Sequence, residues 1–220
     1  MLDEIEENLA NEAIRLQNPA QILPNLYLSS QTPAIDLNLL KQLRINCVLN
    51  LTGFKFNTNE LRFQFDYPSE FTSLHIKIAD EMGVNIVEYF DEAFQFLYDN
   101  HEKRILVHCE AGISRSATIV IAYLMKHHQM SLKQAYEFVK SRKNNIDPNI
   151  NFFKQLIQFE KHLNSNNNQH FQSSFNLHDY IVEYMLKGPA AGFTRDQIIK
   201  ALERTNNDPH KACDLLFSIV

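Results

Sequence analysis

The chain of 220 residues is 45% hydrophobic and 21% charged, and its formal net charge is −5. This composition is typical of a soluble globular protein with a sizeable core, and the acidic balance argues against a nucleic-acid-binding protein, which would carry a basic face. No apolar run approaches the roughly 18 residues of a membrane-spanning helix, and three scattered cysteines indicate a reducing compartment, cytoplasmic or nuclear, rather than a disulfide framework.

The first predicted element, residues 1–17, is an amphipathic helix. Its apolar side chains recur at helical spacing on one face, at Leu2, Ile5, Leu9, Ala13 and Leu16. The acidic residues between them argue against a signal peptide or a mitochondrial leader. We expect this helix to pack on the main domain, with docking to a partner as the alternative.

Residues 18–163 alternate short β-rich runs with helical patterns and are predicted to form one domain. The strands are expected in QILPNLYLS, as a pair, and in NCVLNL, SLHIKI and RILVHC. The helices are expected in PAIDLNLLKQL, NIVEYFDEAFQFLYDN, SATIVIAYLMKHH, SLKQAYEFVKSRK and DPNINFFKQLIQFEKHL. Residues 52–70 have no clean period and are predicted to form a long loop. This alternation predicts an α/β fold with a mostly parallel central sheet flanked by helices.

Start signals mark three of these helices. Pro33 is expected in the first turn of its helix, where a missing backbone N–H costs nothing. Ser131 and Gln134 have the spacing of a capping box. Asp147 is the expected cap of the last helix, with Pro148 in its first turn.

The end of the chain is predicted to form a separate small domain. Residues 164–175 are polar and low in complexity, which predicts a linker. Residues 176–220 contain three helical patterns, LHDYIVEYMLK, TRDQIIKALERT and DPHKACDLLFSI. Thr194 and Gln197 have capping-box spacing in the second, and Asp208 stands before a proline at the start of the third. We expect a three-helix bundle with a small core.

The stretch VHCEAGISRSAT, residues 107–118, joins a predicted strand to a predicted helix. The N-terminus of a helix presents unpaired N–H groups and the positive end of its dipole, which together bind anions. Gly112 permits a tight curl, and Arg115 adds a fork suited to two phosphate oxygens. Cys109 at the base of such a cradle is a candidate nucleophile, because a positive environment stabilises its thiolate. The alternative is a tight turn whose polar residues only cap the helix.

The pattern Cys-x5-Arg-Ser resembles the signature of the cysteine-dependent phosphatases, and HCEAGISRSAT is similar to their dual-specificity branch. The resemblance extends over about residues 19–163 and implies that Cys109 attacks phosphorus to form a phosphocysteine. It implies that Arg115 holds the phosphoryl oxygens, and that Ser116 stabilises the departing thiolate. No metal or organic cofactor is implied. The backbone N–H groups implied in phosphate binding belong to Glu110, Ala111, Gly112, Ile113, Ser114 and Arg115.

The resemblance also implies residues outside this loop. Asp80 in IKIADEMGVN matches the family's general acid, and it would later act as a general base for water. Glu81 is the neighbouring alternative. His108 would tune the loop and the Cys109 thiolate. Asn149 in the IDPNINF segment would brace the phosphate loop, with simple helix capping as the alternative.

The loop favours a protein substrate. It contains no lysine to meet additional phosphates, and Glu110 disfavours phosphoinositides and RNA 5′-triphosphates. The resemblance also implies a shallow pocket, because the catalytic stretch of about 145 residues is far shorter than that of the tyrosine-only phosphatases, whose longer surface loops deepen the pocket. A shallow pocket admits phosphoserine and phosphothreonine as well as phosphotyrosine. The alternatives are an adaptor that binds phosphoprotein and ubiquitin, and a sulfur-transfer enzyme, which would leave Asp80 unexplained.

Residues 176–219 resemble a ubiquitin-associated (UBA) domain through AGFTRDQIIKALERTNNDPHKACDLLF. The resemblance implies ubiquitin binding through a Gly-Phe loop and the end of the third helix. The chain departs from the family in KGPAAGF, where alanine replaces the usual methionine before Gly-Phe. The alternative is a bundle that serves stability or another partner. The positions implied in ubiquitin binding are Gly192, Phe193, Leu215 and Leu216.

Overall fold

The computed structural model describes residues 18–53, 65–167 and 175–218, and the chain forms two compact units, Met1–Ser173 and Ser174–Val220. The predicted N-terminal helix lies outside the described residues, as do positions 54–64 of the predicted loop. No helix within the described ranges is long and apolar enough to cross a membrane. Within the same ranges, no group of three or more His, Cys, Asp or Glu side chains could hold a metal ion.

The first unit contains a mostly parallel sheet, which confirms the predicted fold class. Its described strands are β1 (Ala20–Leu23), β2 (Leu26–Ser29), β3 (Cys47–Asn50), β4 (Thr72–His75) and β5 (Ile105–His108). They lie in the order β1-β2-β5-β3-β4, and only the β1–β2 pair is antiparallel. Strand β5 is therefore central, and all four of its residues are buried. Its carboxyl end lies beside the ends of β2 and β3, the edge where ligands bind in sheets of this kind.

Helices cover this sheet, and one of them is central as predicted. The described helices are α1 (Gln31–Ile35), α2 (Leu37–Gln42), α3 (Phe90–Asp99), α4 (Arg115–His127), α5 (Leu132–Arg142) and α6 (Ile150–Asn167), with a 3₁₀ turn at Ile86–Tyr89. Helix α4 packs against α3, α5, α6 and strands β2 and β5. Ten of its thirteen residues are buried, because it is enclosed on nearly all sides. This packing holds the start of α4 at the end of β5.

Two helix starts differ from the prediction, and each difference has a local cause. The single helix expected in PAIDLNLLKQL is divided at Asp36, whose carboxylate accepts hydrogen bonds from the N–H groups of Asn38 and Leu39 and so begins a new helix. Helix α6 begins after Asn149 and not after Asp147, because the Asn149 side chain accepts from Phe152 N at 2.9 Å. The same helix continues to Asn167, through the first four positions of the predicted linker.

The second unit is a three-helix bundle, as predicted. Its helices are α7 (Leu177–Lys187), α8 (Arg195–Arg204) and α9 (Pro209–Phe217). The capping box of Thr194 and Gln197 is confirmed, and so is the Asp208 cap, which accepts from two backbone N–H groups. The predicted box at the start of α5 is confirmed in the first unit. The core of the bundle includes Ile181, Val182, Met185, Ile198, Leu202, Ala212 and Leu216.

Candidate active site

Residues 109–114 form the connection between β5 and α4. Backbone N–H groups of neighbouring segments donate to carbonyl oxygens of this loop and of His108 just before it. The oxygen of His108 accepts from Leu51 N at 2.8 Å, that of Glu110 from Gln31 N at 3.0 Å, and that of Ile113 from Asp147 N at 2.9 Å. A planar trans peptide directs its C=O and the following N–H in opposite directions. The N–H groups that follow these carbonyls therefore point away from the segments that hold the carbonyls. The backbone of the loop is thus fixed at three peptide groups by neighbouring segments.

Gly112 meets a steric requirement of this loop. Its φ is +69°, in the left-handed region, and a Cβ at this position would lie 2.5 Å from the backbone of Ser29 and Ser30. The end of β2 thus passes directly behind the loop. A side chain at residue 112 would therefore displace either the loop or the backbone at the end of β2.

We expect Gly112→Ala to damage both stability and turnover. Unlike a flexible side chain, the backbone atoms at 2.5 Å have no room to move away, so the loop itself has to shift. A displacement of about 1 Å in a preorganised site costs roughly 10²-fold in rate. Aryl phosphate turnover and the midpoint of denaturant unfolding measure the two effects. Gly83→Ala is the matched control because a Cβ there meets nothing within 4 Å, and equal behaviour of the two variants would contradict the prediction.

Cys109 lies at the base of the loop, where only 1% of its surface is exposed. Its Sγ is 3.2 Å from the backbone N of Gly112, which donates to it, and 3.1 Å from Oγ of the buried Ser116. Both groups can donate a hydrogen bond to the Cys109 sulfur. The structure therefore brings the predicted nucleophile and the predicted thiolate-stabilising hydroxyl into contact.

The Arg115 guanidinium is fixed along one side by backbone oxygens. Its Nη1 donates to Ile78 O at 3.1 Å and to Leu51 O at 3.4 Å. Its other side faces two carboxylates, with Nε 3.4 Å from Asp80 Oδ2 and Nη2 3.5 Å from Glu110 Oε2. The side chain is only 6% exposed. Arg115 is thus a buried, oriented cation whose Nε–Nη2 edge faces acidic groups.

Asp80 is held at this edge by two short hydrogen bonds. Its Oδ1 accepts from Ser114 Oγ at 2.8 Å and from Asn149 Nδ2 at 2.7 Å. The backbone N of Asn149 also donates to Ser114 Oγ at 3.0 Å. Asn149 therefore both caps α6 and contacts the phosphate loop and Asp80, so the two interpretations of this residue are compatible. The Asp80 side chain remains 30% exposed.

Two residues near the site were missed by the sequence analysis. Tyr67 donates from its hydroxyl to Ala34 O at 2.9 Å and lies 3.2 Å from Nε2 of His108, whose Nδ1 lies 3.3 Å from Cys109 O. Lys143 is only 6% exposed; burial lowers its pKa, and the electrostatic interaction with Cys109 opposes that shift. Tyr67 lies in the predicted loop and Lys143 ends a predicted helix, and neither stretch contains a recognisable motif that could have marked these residues.

Burial lowers the pKa of His108 to about 4, from an ordinary value of 6.5. The imidazole is therefore neutral in the folded protein at pH 7, and the unfolded chain binds the extra proton between pH 6.5 and 4. Stability contributed by neutral His108 is present above pH 6.5 and is lost as the pH falls towards 4.

Between pH 7 and pH 5, we expect the free energy of unfolding to fall by about 2 kcal/mol less in His108→Asn than in the parent protein. Denaturant unfolding at the two pH values measures this difference. His128→Asn, which removes an exposed histidine, is the control and should leave the pH dependence unchanged. A pH dependence in His108→Asn equal to that of the parent protein would contradict the prediction.

In the second unit, three of the four positions implied in ubiquitin binding are accessible. Gly192 is exposed, and Phe193 and Leu215 are half-buried. Leu216 is only 5% exposed, because it lies one helical turn after the buried Ala212 and faces the core. Phe217 is 61% exposed, and its ring lies 5.1 Å from that of Phe193. Leu216 therefore presents little surface to a partner, whereas the neighbouring Phe217 is accessible.

Comparisons with known proteins agree with both units. The family model "Dual specificity phosphatase, catalytic domain" matches residues 26–162, and the model "UBA/TS-N domain" matches residues 190–216. Human dual specificity protein phosphatase 7 is 42% identical over 147 residues, which cover 66% of this chain and 34% of that protein. Human dual specificity protein phosphatase 9 is 41% identical over 152 residues, which cover 68% of this chain and 38% of that protein. The chain therefore spans between 34% and 38% of the length of these two relatives.

Solved structures support the same fold. The human tyrosine phosphatase-like serine/threonine/tyrosine-interacting protein superposes with a TM-score of 0.61 and 30% identity, over 66% of this chain and 97% of that chain. DUSP15 superposes with a TM-score of 0.56 and 29% identity, over 72% of this chain and 99% of that chain. Both matches cover nearly the whole of the solved chain and about two thirds of this one.

Proposed function

The chain belongs to the dual specificity protein phosphatase family, and from this premise we propose that it hydrolyses phosphotyrosine and phosphoserine or phosphothreonine in proteins through a phosphocysteine intermediate. The observation that carries the proposal is the placement of Cys109 Sγ between Gly112 N and Ser116 Oγ, at the base of a loop that Arg115 closes. A cysteine acts as a nucleophile only while it is not oxidised, and the cytoplasm and nucleus keep thiols reduced. We therefore propose that the protein acts in the cytoplasm or nucleus.

The proposed reaction has two displacements at phosphorus. In the first, the Cys109 thiolate forms the S–P bond, the ester P–O bond breaks, and Asp80 gives its proton to the leaving oxygen. In the second, Asp80 takes a proton from water, the water oxygen attacks phosphorus, and the S–P bond breaks. Ser116 donates to the returning thiolate, while Arg115 and the loop amides neutralise charge on the phosphoryl oxygens in both steps.

The proposed substrate class is protein because of the charge of the loop. Among its variable positions, only Glu110 is charged, and it is acidic. A substrate with several neighbouring phosphates would place further negative charge beside this carboxylate. A peptide with a single phosphate avoids that repulsion.

Turnover of a matched set of substrates tests this proposal. We expect release of phosphate from phosphotyrosine, phosphothreonine and phosphoserine peptides, with inhibition by vanadate, and much slower release from soluble phosphoinositides. Faster hydrolysis of phosphoinositides would overturn the substrate class. Binding of phosphopeptides without turnover would favour the adaptor alternative, against which the presence of Cys109, Arg115 and Asp80 argues.

We also propose that residues 176–220 bind ubiquitin, through an apolar surface that contains Phe193 and Phe217. The match to the UBA family model and the exposure of Phe217 support this proposal. Chemical shift changes in the labelled 220-residue chain on addition of ubiquitin should cluster at these residues. Phe217→Ala should abolish them, whereas Ser218→Ala, an exposed neighbour, should not. If ubiquitin causes no chemical shift changes in the second unit, the proposal is overturned.

A further inference from the structure

The Nε–Nη2 edge of Arg115 is contacted by two carboxylates. Asp80 Oδ2 lies 3.4 Å from Nε and Glu110 Oε2 lies 3.5 Å from Nη2. Two parallel N–H groups of a guanidinium can donate to two oxygens of one phosphate group. The opposite side of Arg115 is held by the carbonyl oxygens of Leu51 and Ile78. Of the two N–H groups on this edge, Nη2 donates to Glu110 Oε2, whereas the buried Nε contacts Asp80 without making a hydrogen bond. A phosphoryl group bound by both N–H groups therefore displaces the Glu110 carboxylate from Nη2.

The two carboxylates differ in what happens to them next. Asp80 enters the proposed reaction as an acid, in its protonated form, so it carries no negative charge in that step. Glu110 has no such role, and its charge remains. Its backbone is held by the bond from Gln31 N to its carbonyl oxygen, so only the side chain can move. That side chain is 43% exposed and can turn towards solvent at the rim of the site.

We propose that Glu110 selects substrates with a cationic side chain next to the phosphoresidue. In the free protein its carboxylate neutralises Arg115, and a phosphoryl dianion displaces it. The displaced carboxylate then lies close to the dianion, and this repulsion is relieved when a lysine or arginine of the substrate pairs with it. A glutamate at the same substrate position would add a further repulsion. The inference rests on the proposed phosphatase function and names a residue that sets its substrate preference.

Binding to Cys109→Ser protein tests the inference without turnover. We expect calorimetry to show about fivefold tighter binding of a phosphotyrosine peptide with a flanking lysine than of the same peptide with a flanking glutamate. Adding Glu110→Gln should make the two affinities equal and should tighten the binding of inorganic phosphate. High salt should reduce the discrimination in the Cys109→Ser protein only, because an exposed ion pair is screened.

Glu102→Gln in the same Cys109→Ser background is the matched control. It removes the same charge from an exposed residue that precedes β5, at the end of the sheet away from the phosphate loop. Equal discrimination with and without the Glu110→Gln change, or unchanged phosphate affinity, would overturn the inference while leaving the proposed function intact. Failure of the Cys109→Ser protein to bind phosphate or either peptide would overturn the proposed function, and the inference with it.

Discussion

Replacement of Cys109 by serine will abolish aryl phosphate turnover, with an expected loss of about 10⁴-fold or more. A serine hydroxyl needs a general base, and the hydrogen-bond partners of Cys109 Sγ within the described part of the chain, Gly112 N and Ser116 Oγ, do not supply one. The loop amides and Arg115 do not depend on the sulfur for their orientation, because Ile78, Leu51 and other neighbouring backbone groups hold them. Phosphate binding should therefore persist.

Steady-state turnover of an aryl phosphate and calorimetric binding of inorganic phosphate separate these two effects. Cys213→Ser is the matched control, since Cys213 is a half-buried thiol in the second unit, and it should retain full turnover. Rapid quenching of the parent protein with a labelled substrate should trap phosphate on Cys109. Substantial turnover by Cys109→Ser would rule out the covalent mechanism.

The phosphate loop could be predicted from the sequence because its determinants are local. Cys109, Gly112, Arg115 and Ser116 lie within eight positions, between a strand and a helix that both follow clear apolar patterns. A strand that ends where a helix begins places the intervening amides at the helix N-terminus, whatever the rest of the chain does. The capping boxes were predictable for the same reason, since each depends on residues three positions apart.

Features that depend on distant contacts could not be predicted. Tyr67 and His108 are 41 positions apart, and their contact depends on how the segment before β4 packs beside β5. Asn149 was assigned two competing roles because its sequence context supports capping, whereas its contact with Asp80 spans 69 positions. Leu216 and Phe217 are both apolar neighbours, and only the packing of α9 decides which of them faces the core.

Asp80→Asn will slow the hydrolysis of esters with poor leaving groups by about 10³-fold, the range typical of losing a general acid. Asparagine keeps the size of the side chain and can still accept from Ser114 Oγ and Asn149 Nδ2, so the loop should keep its conformation. It has no proton to give to the leaving oxygen. An alkoxide leaving group needs that proton far more than a nitrophenolate does, so the loss should grow as the pKa of the leaving alcohol rises.

A series of aryl and alkyl phosphates with graded leaving-group pKa measures this dependence directly. The slope of log kcat/KM against that pKa should become steeper in Asp80→Asn, because no acid remains to protonate the leaving oxygen. Glu81→Gln is the matched control at the neighbouring carboxyl and should leave the slope unchanged. The Asp80 carboxylate accepts from Ser114 Oγ and lies beside Arg115, which is why we assign the acid to Asp80 and not to Glu81. A larger effect of Glu81→Gln would contradict this assignment. Equal slowing of all esters by Asp80→Asn would show that the proton reaches the leaving group from elsewhere.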